Sequence, residues 1–107
     1  MHKTPKRIYE EIKRERPFLC ERKELLHDHE CIGRMTFEHA WIYSGKQINE
    51  KWAIIILCEW AHLRKGLNKE INQWISLRHA TADDLKKYPR VDWEQRRKYL
   101  NQKYGGR

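Results

Sequence analysis

The stretch Arg34-Met35-Thr36-Phe37-Glu38-His39-Ala40-Trp41 decides how the chain is read. From Arg34 to His39 apolar and polar residues alternate, with Met35 and Phe37 on one side and Thr36 and Glu38 on the other. That is the period of a strand with two unlike faces. A second run, Trp52-Ala53-Ile54-Ile55-Ile56-Leu57-Cys58, is apolar and rich in β-branched residues. It reads as a buried strand over Trp52 to Leu57, paired with the first. Cys58 to Arg64 then fits a short helix that Gly66 ends. A carboxylate and a histidine thus close one strand, and a second histidine, His62, follows the other. Neighbours on a strand point to opposite sides. Glu38 and His39 therefore suit two separate jobs, Glu38 turned to a metal and His39 to a water molecule, with His62 approaching from the helix.

Around this centre the elements are helical. A helix is expected over about 5–16, capped by Thr4, started by Pro5 and stopped by Pro17, with Ile8 and Ile12 on its apolar stripe. Residues 18–33 read as irregular. They contain a dense set of ligand types, His27-Asp28-His29-Glu30-Cys31, before a turn at Gly33. A helix over 69–79 has Asn68 as its cap. Thr81-Ala82-Asp83-Asp84 opens another in the manner of a capping box. Asp92 and Gln95 start a last one, closed by Gly105-Gly106. The expected fold is α+β and mostly helical, with a small β-hairpin followed by a helix. It forms one domain over 1–107, with an N-terminal helix and a C-terminal helical extension over about 68–104.

The 107 residues carry a net charge of +8, which points to an anionic partner, most commonly nucleic acid. The charge is unevenly placed: residues 1–24 sum to +3, 25–62 to −2 and 63–107 to +7. Basic arms that grip phosphates around a middle that binds a cation would have this layout. Lys86, Lys87, Arg90, Arg96, Arg97 and Lys98 are the candidate backbone contacts; the plain alternative is a solvated helix face. Trp41, Trp52, Trp60 and Trp74 lie among aliphatic residues and read as core rather than as a base-stacking platform. No apolar run nears the roughly 18 residues of a membrane span, and no secretory signal is apparent, so a cytoplasmic protein is expected. The three cysteines, Cys20, Cys31 and Cys58, are an odd number and argue against a disulfide framework. With one imidazole they would make a tetrahedral zinc site; otherwise they are small buried thiols.

Hydrolysis of a phosphodiester needs a base for water, a cation for the developing charge and a phosphate held in line. The residues that could supply these resemble a known family. Glu38-His39 at a strand end, and Leu57-Cys58 with His62 after a second strand, look like the HNH nucleases with their ββα-metal motif. The wider pattern through Thr36–Ala40, Gly45–Ile48, Lys51–Ile54, Leu77, Ala80-Thr81 and Tyr99–Asn101 is similar to small HNH proteins of phages and prophages. The resemblance covers most of residues 18–104. It implies a metal-dependent DNA endonuclease in the cytoplasm of a phage's or prophage's host. His39 would be the general base, with Glu38 and His62 holding Mg2+, Mn2+ or Zn2+, and double-stranded DNA the substrate. A structural zinc would take Cys20, Cys31, Cys58 and one of His27 or His29, with His29 first. The sequence departs from the family twice: Ala53 stands where the motif has an asparagine, the nearest being Asn49, and Ala61 stands where many relatives have another zinc ligand. Cutting both strands would suit a homodimer, although no residue marks a dimer face. The competing expectations are a non-catalytic nucleic-acid-binding protein on the same fold, and a phage inhibitor that binds a host protein.

Overall fold

The fold is α+β, and the computed structural model describes residues 4–63 and 69–105. Along the chain lie α1 (Lys6–Glu15), α2 (Glu21–Leu26), β1 (Met35–His39), β2 (Ile42–Tyr43), β3 (Lys46–Gln47), β4 (Ile54–Cys58), α3 (Glu59–Leu63), α4 (Lys69–Leu77), α5 (Ala82–Lys86) and α6 (Trp93–Tyr104). Arg64, the Gly66 stop, the Asn68 cap and Gly106 lie outside the described residues. No described helix is long and apolar enough to cross a membrane.

The centre is β4. It pairs antiparallel with β1, Glu38 opposite Ile55 and His39 opposite Ile54. All five of its residues are buried, because both of its faces are covered. Ile54 and Ile56 pack against Ile8 and Ile12 of α1, with Phe37 of β1 alongside. Ile55 and Leu57 pack on the other face with Cys20, Ala61 and Ile75. A strand covered on both sides loses alternation and becomes a continuous apolar run. Each of these aliphatic side chains contributes about 1.5–3 kcal/mol of burial.

The apolar run is not wholly strand. Lys51–Ala53 form a 3-10 turn, and the extended segment begins at Ile54. Trp52 and Ala53 instead enter a second core with Trp41, Leu77, Leu85 and Leu100. The connection from β1 to β4 carries its own small ribbon, β2 with β3, turned at Ser44 and Gly45, both with positive φ.

Two other expectations are corrected. Residues 18–33 are not irregular throughout, since Glu21–Leu26 form α2, ended by His27 in the left-handed region at φ 50. Thr4 does not cap α1. The cap position is Pro5, without a side-chain hydrogen bond, and the Thr4 hydroxyl is turned elsewhere. The Thr81–Asp84 capping box and the Asp92 cap form as expected.

Side chains complete the hydrogen bonding of β4 away from β1. Arg16 donates from Nη1 to the Ile54 carbonyl and from Nη2 to the Lys51 carbonyl, both at 2.6 Å. Glu21 Oε2 accepts from the Ile56 N–H at 2.8 Å and faces Arg16 Nη1 at 3.4 Å. The other Glu21 oxygen bonds the His79 ring. Burial would raise the Glu21 pKa, but His79, the Ile56 N–H and Arg16 outweigh it and hold it below 4.5. A depressed folded-state pKa contributes stability that is complete above the unfolded value and lost as pH falls through the folded one. Glu21→Ala is therefore expected to cost about 2–3 kcal/mol. Glu21→Gln, which keeps an acceptor, should cost less and should lose less stability than wild type below about pH 4.5. Thermal melts of the three proteins from neutral to acid pH check both outcomes; equal acid sensitivity in wild type and Glu21→Gln would refute the assignment.

Candidate metal centres

Two groups of side chains gather around the β1–β4 pair and α3. The first is Cys20, His29, Cys31 and Cys58, whose ligand atoms all lie within 4.8 Å of one another. His29 Nε2 is 3.7 Å from Cys20 Sγ, 3.7 Å from Cys31 Sγ and 3.4 Å from Cys58 Sγ. Four ligands at tetrahedral angles around one zinc would place sulfur and nitrogen about 3.5 Å apart, given bonds of about 2.3 and 2.0 Å. The four side chains are close enough to hold a metal, and their donor set and spacing fit zinc.

The surroundings fit as well. The His29 side chain is only 3% exposed, and its Nδ1 lies 2.8 Å from Asp28 Oδ1. Arg22 in turn donates to Asp28 Oδ2 from Nε at 2.9 Å and Nη2 at 2.6 Å. A carboxylate on the outer nitrogen fixes the tautomer and makes the ligating nitrogen more basic. The Trp60 ring stacks on His29, centroids 4.5 Å apart. Burial would raise the Cys58 thiol, but the N–H groups of Ala61 and Ile32 and the His29 ring bring it down to about 6. Desolvation, with the neighbouring Cys58 and Cys20, pushes Cys31 up to about 12. Asp28→Asn is expected to weaken metal binding about 10- to 100-fold, read by competition with a chromogenic chelator.

His27 is not in this set; it ends α2 in the left-handed region and is exposed. The position expected for a further ligand, Ala61, is 1% exposed and packs in the core, while its N–H serves Cys58.

The second group gathers at the opposite end of β1. Alternation along the strand sends Glu38 to the side of α3 and α4, and His39 to the side of α1. Glu38 is 7% exposed, and its Oε2 lies 3.1 Å from His62 Nδ1. The two atoms are out of hydrogen-bonding alignment with each other. Two ligands of one ion at right angles, each about 2.1 Å from it, lie about 3.0 Å apart. The 3.1 Å spacing of Glu38 and His62 is that of an ion pair and also of two ligands sharing one ion. A cleft lined by Glu38, His39, Ala40, Gln47, Lys69 and Asn72 opens beside them.

Two residues of this site, Asn72 and Lys69, were not singled out from the sequence, and a third, Thr4, was read only as a helix cap. Asn72 on α4 is 4% exposed, lines the cleft, and its Oδ1 has no hydrogen-bond partner among the described residues. Lys69 places a cation at the same rim. Thr4 lies against His39, its Oγ1 2.7 Å from Nε2, and donates to Asn49 Oδ1 at 2.7 Å. The only signal for Asn72 was its position on the polar flank of an apolar helix pattern. Ala53, where the motif has its asparagine, is fully buried, and its carbonyl accepts from the Ala40 N–H.

The six candidate phosphate contacts are differently placed. Lys86 and Lys98 are exposed, with Lys86 3.5 Å from Asp83. Lys87 faces Glu50 at 3.3 Å, and Arg90 donates to Ser44 Oγ at 3.0 Å. Arg96 bonds Gln73 Oε1 at 2.7 Å, and Arg97 donates to the Leu77 carbonyl at 3.3 Å. The last two brace α6 on α4. Comparison of the chain with protein-family models, with curated proteins and with solved structures finds no match.

Proposed function

We propose that the chain is a metal-dependent DNA endonuclease of the HNH type, stiffened by a structural zinc at Cys20, His29, Cys31 and Cys58. The observation that carries this reading is the Glu38–His62 pair, 3.1 Å apart, beside a cleft that His39 also lines. A divalent cation bound by Glu38 and His62 would stabilise the charge that develops on the scissile phosphate and the leaving oxygen. His39 accepts the proton of the attacking water as the new O–P bond forms and the P–O bond to the leaving group breaks. Lys69 at the cleft rim draws the phosphate in, and Asn72 offers it an amide. Lys86 and Lys98, with Lys87 and Arg90 released from Glu50 and Ser44, hold the flanking backbone. The overall charge of +8 favours such a polyanion.

The test is nicking of supercoiled plasmid by protein loaded with Mg2+ or Mn2+, together with Mn2+ binding followed by electron paramagnetic resonance. Glu38→Ala and His62→Ala should lose both binding and nicking. Retained Mn2+ binding in both variants would remove the cation from this pair.

A further inference from the structure

We infer that Thr4 is a positioning residue that fixes the tautomer of His39, with Asn49 behind it, so that Nε2 carries the proton and Nδ1 is the basic nitrogen. The inference rests on the reading of His39 as the base. A hydroxyl has one proton and two lone pairs. Thr4 Oγ1 gives that proton to Asn49 Oδ1 at 2.7 Å. Its 2.7 Å contact with His39 Nε2 must then run the other way, Nε2–H donating to the hydroxyl oxygen. A neutral imidazole carries a single N–H, and the lone pair of its base is thereby assigned to Nδ1.

The fold explains why Thr4 reaches this far. His39 pairs with Ile54 at the end of β1, and Ile8 and Ile12 of α1 pack on Ile54 and Ile56. Docking α1 on β4 therefore brings the residue just ahead of α1 to the strand end. Pro5 takes the cap position without a side-chain bond, which leaves the Thr4 hydroxyl for the imidazole. Asn49 comes from the loop after β3, and it sets the direction of the relay. An acceptor at that position draws the hydroxyl proton away from His39.

The test uses full-length protein with 15N-labelled histidines, in long-range proton–nitrogen spectra followed upward in pH until the His39 signals no longer change, so that the neutral ring is read. His39 is assigned by the loss of its signals in His39→Gln. Wild type is expected to show the tautomer protonated at Nε2. Thr4→Ser and Asn49→Asp keep the hydroxyl and the acceptor and should preserve it. Thr4→Val, matched in shape, and Asn49→Ala should shift His39 toward a mixture. Nicking by Thr4→Val should fall roughly 10-fold, the loss of about one hydrogen bond's worth of orientation, and recover in Thr4→Ser. A wild-type His39 protonated at Nδ1, or an unchanged tautomer in folded Thr4→Val, would overturn the inference. Wild type that never nicks but shows the expected tautomer and its shift would sink the nuclease reading alone.

Discussion

Replacing His39 by alanine is expected to lower plasmid nicking about 1000-fold, within the range that a positioned general base supplies, while leaving the fold and Mn2+ binding intact. The side chain reaches Thr4 at the edge of a cleft that the residue borders, and it does not enter any of the apolar clusters that hold β1 on β4. Its removal therefore takes away proton acceptance and little packing. Glu38→Gln should show the complementary pattern. Its carboxylate is 7% exposed and sits against His62, so the amide should weaken cation binding and nicking together. Single-turnover nicking across a Mn2+ titration separates the two, since excess metal should restore part of Glu38→Gln activity and none of His39→Ala activity. If wild type and His39→Ala cut plasmid equally with every divalent ion, the assignment of His39 fails.

Cys58→Ser should have the largest effect on stability. Cys58 is the last residue of β4, it is fully buried, and α3 begins at the next residue. With a zinc bound as proposed, losing Cys58 would open the group of four side chains and unpin the helix that carries His62. A structural zinc in a domain of this size would be worth several kcal/mol. A loss of roughly 4 kcal/mol corresponds to about 15–20 °C in Tm. The discriminating comparison is with chelator. Wild type stripped of metal should melt where Cys58→Ser melts, and the variant should not respond to chelator at all. Elemental analysis should find one zinc per wild-type chain. A metal-free wild type whose Tm ignores chelator would make the three cysteines ordinary thiols, two buried and Cys31 exposed.

Much of the centre was legible in the sequence because strand alternation is a strict code. One residue's face fixes its neighbour's, so Glu38 and His39 had to diverge, and His62 followed from the short helix after Cys58. His29 was preferred to His27 in the sequence, but the backbone reason for the preference was not legible. It depends on a left-handed residue at the end of α2, a backbone event that the local sequence does not announce. α2 itself was missed because Glu21-Arg22-Lys23-Glu24 shows no apolar period; its place is set by contacts from Glu21 to Ile56 and from Arg22 to Asp28. Thr4 was misassigned for a related reason. A threonine ahead of a proline at a helix start has the chemistry of a cap, and only the docking of α1 on β4 reveals a stronger claimant for its hydroxyl. The start of β4 was placed early because Trp52 and Ala53 are as apolar as a strand, although they belong to another cluster.

Arg16 and Glu21 have one more consequence. A strand with an open side invites another chain to lie along it, which is how sheets grow between molecules. Here the Ile56 N–H and the Ile54 carbonyl are already taken by a guanidinium and a carboxylate, a charged stopper built from the segment just before and at the start of α2. A second copy cannot extend the sheet past β4 without first displacing that ion pair. Any self-association must therefore use another surface, and the Glu21→Ala protein, with the stopper removed, should aggregate from its folded state sooner than its loss of stability alone would explain.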